Sequence, residues 1–342
     1  MTAAIFEAIT ACDQTALRRA IDEEPDSVNQ KDEDGLPPLY TAARHRNDEA
    51  VETLIAAGAE VDIFACCYLN RHEDGERLLA SDSNLAHEMT PYGRSSLHFA
   101  CQKGNAPMVR ALIQHGADVN ARDDDGKTPL LEAAHGGPWK PEADQESIDL
   151  LLDSGADVDL HTAAAIGRPE KVKSALEDSD AGPDEEDESG YTALYHAAHN
   201  NHLDCVTTLL GAGADVNLPC KDGQTALASA ALHLLSQQCD PEICRVLIEN
   251  GAPYDIHTAA ALGDTVRVSE LVSADSSLTG LLLYGFYPAD YCVHCGQLET
   301  LRILLDAGAD PNSQDEWGST LLSKCRHLPE LHSLLLSFGA ST

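Results

Sequence analysis

The chain is poor in aromatic residues, 5% of its 342 positions, and poorer still in positive charge, with 22 Lys and Arg against 57 Asp and Glu. With so few rings, the 43% of hydrophobic residues comes mainly from Ala and Leu, which suits thin, closely packed helical layers. A net charge of −35 repels nucleic-acid phosphates and anionic membranes over the whole surface, so no nucleic-acid and no membrane partner is expected. No apolar run reaches the roughly 18 residues that a membrane span needs. The first residues, M-T-A-A-I-F-E-A-I-T, carry Glu7 and no basic lead, so no secretory leader is expected and a cytoplasmic location is the default. Also missing are a G-x-S-x-G elbow, a G-x-x-x-x-G-K phosphate loop and a Cys with an evident His partner. No catalytic constellation and no cofactor are therefore expected.

What is present is a period. From Gly93 to Gly126 the chain reads G-R-S-S-L-H-F-A-C-Q-K-G-N-A-P-M-V-R-A-L-I-Q-H-G-A-D-V-N-A-R-D-D-D-G, two glycines 33 residues apart. The same spacing returns from Gly190 to Gly223 and from Gly285 to Gly318. A fixed period of this size marks stacked units, none of which can bury its apolar face alone. A Gly-Ala pair closes unit after unit, at Gly58-Ala59, Gly116-Ala117, Gly155-Ala156, Gly213-Ala214, Gly251-Ala252, Gly308-Ala309 and Gly339-Ala340. There Gly supplies the left-handed conformation that ends a helix. Thr128-Pro129-Leu130 marks a helix start, a capping hydroxyl followed by Pro at the first helical position. A longer period sits above the first: Asp62-Ile63, Asp159-Leu160 and Asp255-Ile256 recur 97 and 96 residues apart.

These motifs resemble the ankyrin repeat over nearly the whole chain. The resemblance implies an all-α fold, an ankyrin-repeat α-solenoid of helix-turn-helix units joined by extended or β-hairpin fingers. About eleven repeats are expected, in three blocks of three plus caps. The expected boundaries are an N-terminal capping repeat over 1–34, an array over 35–318 and a C-terminal capping repeat over 319–342. Each turn after G-A-D-V-N is expected to extend as a finger. Two helix-to-helix turns are enlarged, His135–Glu146 and Leu234–Pro241, and an acidic stretch, Asp178–Gly190, reads as a mobile loop in place of a finger.

Of the eleven cysteines, Cys66, Cys67, Cys101 and Cys292 occupy the small Ala-Ala positions of the first helix, and Cys205 and Cys244 the Val positions of the second. They read as small buried hydrophobes. Cys292-Val293-His294-Cys295 is the nearest approach to a metal motif, but no second pair follows to complete four ligands, so no metal is expected. His98, His161 and His257 read as sharing one phase, where the resemblance implies a hydrogen bond to the neighbouring finger. Trp139, Trp317, Tyr92, Tyr284 and Phe286 fall in predicted loops, either as contact surface or packed on a neighbouring finger.

The function implied is non-enzymatic: a protein–protein interaction scaffold that holds variable side chains in a concave groove of fingers and first helices, losing little entropy on docking. The candidate partner-binding residues are Arg44, His45, Tyr92, Gln102, Lys103, Arg122, Asp124, His199, Asn200, Lys221, Glu316 and Trp317. The expected partner is a protein, basic if the acidic surface serves recognition, and the chain itself is expected to be a monomer. Two rivals are an enzyme or metal-dependent activity on the enlarged loops or the Cys292–Cys295 pair, and an acidic, salt-adapted scaffold with no basic partner.

Overall fold

The computed structural model describes residues 3–32, 35–45, 47–135, 144–178, 182–221, 223–235 and 240–341. Trp139 and most of the two enlarged turns lie outside the described residues. The chain forms two compact units, Met1–Val158 and Asp159–Thr342. In the first, five helix pairs follow one another: α1 (Ala3–Thr10) with α2 (Gln14–Glu23), α3 (Pro38–Arg44) with α4 (Asp48–Ala56), α5 (Ile63–Tyr68) with α6 (His72–Ser81), α7 (Ser96–Lys103) with α8 (Ala106–Gln114), and α9 (Pro129–Ala134) with α10 (Gln145–Asp153). In the second there are six: α11 (Leu160–Ala165) with α12 (Pro169–Asp178), α13 (Ala193–His199) with α14 (Leu203–Gly211), and α15 (Ala226–Leu234) with α16 (Pro241–Glu249). The remaining three are α17 (Ile256–Leu262) with α18 (Thr265–Ala274), α19 (Pro288–His294) with α20 (Leu298–Asp306), and α21 (Leu321–Lys324) with α22 (Pro329–Ser337). The described residues thus hold the eleven repeats that the period implies, all helical, with four isolated β-bridges and no longer strand.

Small side chains set the spacing of the layers. The paired positions Ala42-Ala43, Cys66-Cys67, Ala100-Cys101 and Ala133-Ala134 in the first unit are buried, as are Ala163-Ala164, Ala197-Ala198, Ala230-Ala231 and Ala259-Ala260 in the second. With little more than a methyl group between them, consecutive first helices pack backbone against backbone, and Leu54, Leu79, Leu112 and Leu151 from the second helices seal the other side. Side chains at the start of three second helices tie their repeats to the one before. Asn105 Nδ2 donates to Cys67 O at 3.2 Å, Asn47 Nδ2 to Ile9 O at 3.1 Å and Gln297 Nε2 to Ala261 O at 3.1 Å.

Three connections, whose tails read G-A-E-V-D, G-A-D-V-D and G-A-P-Y-D and not G-A-D-V-N, carry no finger. At 57–62, 154–159 and 250–255 the second helix passes directly to the next first helix, and one aspartate caps that helix. Asp62, Asp159 and Asp255 accept hydrogen bonds from the backbone N–H of Ala65 (2.7 Å), Thr162 (2.7 Å) and Thr258 (2.8 Å). These are the motifs of the 97-residue period, and they divide the fingers into groups. The acidic stretch also differs from its reading. Its described residues include an ordered finger, with Asp187 Oδ1 accepting from Ser189 N and Tyr191 N, each at 2.9 Å, and a bridge between Glu186 and Thr192.

Each finger is closed by a short turn, and in each of three pairs the second finger bonds the first. Asp124 N donates to Tyr92 O, Lys221 N to Gly190 O and Glu316 N to Gly285 O, all at 3.1 Å. Glycine is required at this contact twice over. Gly190 has φ +82°, and a Cβ there would stand 2.9 Å from Lys221 Cβ, whereas Gly223, φ +79°, has nothing within 4 Å. Gly223→Ala should therefore cost about 1 kcal/mol for the left-handed backbone alone, and Gly190→Ala about 2 kcal/mol or more because the finger pair must also separate. Urea unfolding midpoints of the two variants check this, and equal losses would show that the finger contact contributes nothing.

Candidate functional site

The fingers and the first helices of each unit carry most of the candidate residues. In the first unit, Arg44 and His45 at the end of α3, Gln102 on α7, and Tyr92 and Asp124 on two bonded fingers line one cavity of about 610 Å³. Tyr40, Tyr68 and Phe99 form its floor: Tyr40 lies 5.2 Å from Tyr68 and 5.5 Å from Phe99 between ring centroids, in tilted and edge-on arrangements. Lys103 lies beside the cavity with Nζ 3.8 Å from the Tyr68 ring centroid. Arg122 is exposed on the same finger as Asp124 and donates to Gly126 O at 3.0 Å.

In the second unit the candidates divide. Lys221 and Glu316 stand exposed on the second fingers of their pairs. Trp317 is 65% exposed, yet its ring lies 5.0 Å from Phe286 on the partner finger, so it packs on its neighbour and still offers a face to solvent. His199 is half-buried on α13, stacked on Tyr195 at 5.7 Å and edge-on to His233 at 4.3 Å, with Nδ1 3.0 Å from Ser229 Oγ. Burial first, then the neighbouring His233 and His196, push its pKa down to about 3, so it is neutral in the folded chain. Asn200 is spent on the fold, its Nδ2 donating to Ala165 O at 2.9 Å.

The three histidines singled out from the sequence all bond the following finger. His98 Nε2 lies 2.9 Å from Lys127 O, His161 Nε2 2.8 Å from Glu185 O and His257 Nε2 2.9 Å from Leu281 O. Their phase is shared relative to the small buried pair that follows, since Ala100-Cys101, Ala163-Ala164 and Ala259-Ala260 each begin two residues on. His98 is the third residue of α7, held also by Ser95 Oγ at 2.8 Å, while His161 and His257 are second residues of helices that follow a fingerless connection.

Sequence reasoning missed a set of polar contacts at the finger bases. Three finger aspartates use one oxygen on their own turns and direct the other to a basic side chain. Asp123 Oδ2 lies 3.7 Å from Arg94 Nε, Asp187 Oδ2 accepts from His196 Nε2 at 2.8 Å, and Asp315 Oδ2 lies 2.8 Å from Lys324 Nζ. Burial disfavours the charge on Asp187, but hydrogen bonds from His196 and the Tyr191 N–H outweigh it and hold the carboxyl at about 2. His196 itself is pushed down by burial, so it serves Asp187 as a neutral donor. The thiols of the Cys-x-x-Cys pair are turned to separate carbonyls, Cys292 to Ala260 O at 3.8 Å and Cys295 to Leu234 O at 3.6 Å, and burial raises both. Among the described residues no three metal-ligating side chains converge, and no helix is long and apolar enough to cross a membrane.

Comparison with known proteins agrees with this geometry. A family model described as ankyrin repeats in three copies matches residues 63–161 and 160–257, and a single ankyrin-repeat model matches 34–65 and 284–316. The chain is similar to the E3 ubiquitin-protein ligase KEG of Arabidopsis thaliana, 26% identical over 67% of this chain and 14% of that protein. It is also similar to the B-cell lymphoma 3 protein homolog of Mus musculus, 28% identical over 65% of this chain and 45% of that protein. The ankyrin repeat domain-containing protein SAT10 of Stachybotrys chartarum is 28% identical over 87% of this chain and 16% of that protein. The chain therefore spans less than half the length of each of these relatives.

Proposed function

The chain belongs to the ankyrin repeat family, and from that premise we propose that it is a non-enzymatic scaffold that binds a partner protein through its fingers and first helices. The observation that carries this reading is the finger pairing. Three pairs, each fixed by a backbone hydrogen bond of 3.1 Å, present Tyr92, Arg122 and Asp124, then Lys221, then Glu316 and Trp317, on rigid bases. Side chains already held in place lose little freedom when a partner docks. The relative named for ubiquitin ligation is far longer than the stretch this chain matches, so its activity is not carried over. We take the partner to be basic overall, because a net charge of −35 accelerates encounter with a cationic surface. On the same reading the scaffold acts as a cytoplasmic monomer, with the repeats over 1–34 and 319–342 capping the array.

The double variant Trp317→Ala, Arg122→Ala tests the surface. Both side chains are exposed, so helical content by circular dichroism should not change. Capture of the partner should weaken by about tenfold or more, since an aromatic anchor and an arginine are the residue types that dominate interfaces. Undiminished capture would remove these fingers from the interface.

A further inference from the structure

The last finger pair sets an open aromatic face beside a carboxylate. Trp317 turns one side of its indole to Phe286 and is otherwise 65% exposed. Among the described residues no cation stands over that ring. In the first-unit cavity, by contrast, the chain supplies the cations itself: Lys103 Nζ stands 3.8 Å from the Tyr68 centroid and the Arg94 guanidinium 4.6 Å from that of Phe99. Glu316, next to Trp317, is exposed and makes no ion pair among the described residues. The cation of this finger base, Lys324, is held between Asp290 at 2.6 Å and Asp315 at 2.8 Å and is only 9% exposed, so its charge is spent within the fold. Gly285 brings the indole and the free carboxylate together. It is buried beneath them, and a Cβ there would stand 2.8 Å from Glu316 Oε2 and 2.9 Å from the Trp317 ring. The two side chains therefore lie side by side over one glycine, on a finger fixed by the bond from Glu316 N to Gly285 O.

We propose that this finger pair receives an arginine side chain of the partner, its guanidinium laid on the open face of Trp317 and paired with the Glu316 carboxylate. The inference rests on the partner-binding reading and names the chemistry of one of its contacts. A guanidinium is flat and weakly hydrated, so it stacks on an indole while its N–H donors, lying in its own plane, reach a carboxylate at the ring's edge. A lysine ammonium is a compact, strongly hydrated charge and cannot stack in this way. The net charge of −35 favours the approach of such a group from solution.

The test uses the full chain and a display library of random dodecapeptides, with selected peptides resynthesised and measured against wild type, Trp317→Leu and Glu316→Gln. Leu keeps an apolar side chain against Phe286, and an unchanged melting temperature confirms that each variant folds. Glu316 is exposed, so Glu316→Gln decides the matter alone if Trp317→Leu does not fold. The expected result is a shared arginine among the selected peptides. Its replacement by citrulline, which keeps the planar shape without the charge, should weaken binding to the wild type by about tenfold or more, and its replacement by lysine by about threefold or more. Both variants should bind the arginine peptides less tightly than the wild type does, and the citrulline change should cost less in each of them, because one partner of the contact is already gone. Binders that share no arginine, accept lysine equally, or feel the citrulline change as strongly in both variants overturn the arginine assignment and leave the scaffold reading standing. A shared leucine or phenylalanine in place of arginine would make the indole an apolar contact and overturn it too. A library that yields no binder at all counts against both readings.

Discussion

Lys324→Met is expected to destabilise the second unit by about 3–5 kcal/mol, the cost of leaving buried charge without its counter-ion. Lys324 Nζ sits between two carboxylates, 2.6 Å from Asp290 Oδ1 and 2.8 Å from Asp315 Oδ2, and the three side chains are only 9%, 1% and 4% exposed. Asp290 comes from α19, Asp315 from the finger that follows α20, and Lys324 from α21, so the triad ties the last two repeats together. Burial works against the Asp315 charge, yet the hydrogen bond from Lys324, with those from the Ser319 and Trp317 N–H groups, holds its pKa below the usual carboxylate range. A carboxyl so depressed contributes stability that is present above its unfolded pKa and lost as pH falls through the folded value. Without Lys324 both acids are buried and uncompensated, and the Asp315 carboxyl loses the hydrogen bond that holds its pKa down. The variant should then lose less stability than the wild type on going from pH 7.5 to pH 5.5. Urea unfolding at the two pH values reads both effects, and a loss below about 1 kcal/mol at neutral pH would show that the triad stabilises nothing.

The wild type should lose stability on mild acidification because several of its histidines are buried neutral. His98, His196, His199, His202, His257 and His294 are each pushed below the ordinary value, in every case chiefly by burial. A folded pKa below the unfolded one, about 6.5, means that the unfolded chain binds protons more readily. The contribution of these groups is therefore complete above pH 6.5 and declines as pH falls from there towards the folded values. Each group can remove at most about 1.4 kcal/mol per pH unit, so the loss steepens as pH falls below 6.5. His199 has a window from about 6.5 to about 3, and His199→Gln should lower the slope of stability against pH by close to one proton. A urea midpoint that is flat or rising between pH 7.5 and 5.5 would mean that these rings charge without cost.

The repeats were legible because backbone sterics leave few options where they turn. The Gly-Ala pairs end helices in the left-handed conformation, with φ +92° at Gly58 and +87° at Gly116, and the finger glycines 33 residues apart do likewise. The fingerless connections were harder to see, since Asp62 ends one repeat's G-A-x-V-x tail and caps the next repeat's helix at once. The missing finger glycine, and Asp where Asn120, Asn217 and Asn312 end the other tails, distinguished them. The cavity was half visible. Its rim residues Arg44, His45, Tyr92, Gln102 and Asp124 follow from their place in the repeat, but its floor combines Tyr40, Tyr68 and Phe99 from three different first helices. Nothing in local spacing predicts that such rings meet. The same holds for Lys324, Asp290 and Asp315, whose sequence neighbours give no sign of a shared buried charge. Trp317 packs on its neighbouring finger, as one of its two readings had it, and its other face stays exposed.

The central claim is that fingers and first helices, rather than second helices, meet the partner. Hydrogen–deuterium exchange of the full chain, alone and saturated with the partner recovered by affinity isolation and identified, tests this most directly. The account predicts slowed exchange in the fingers around Tyr92, Asp124, Lys221 and Trp317 and in first helices α3, α7 and α13, with α4, α8 and α14 unchanged. Protection confined to the second helices, with the fingers exchanging as in the free chain, would contradict it.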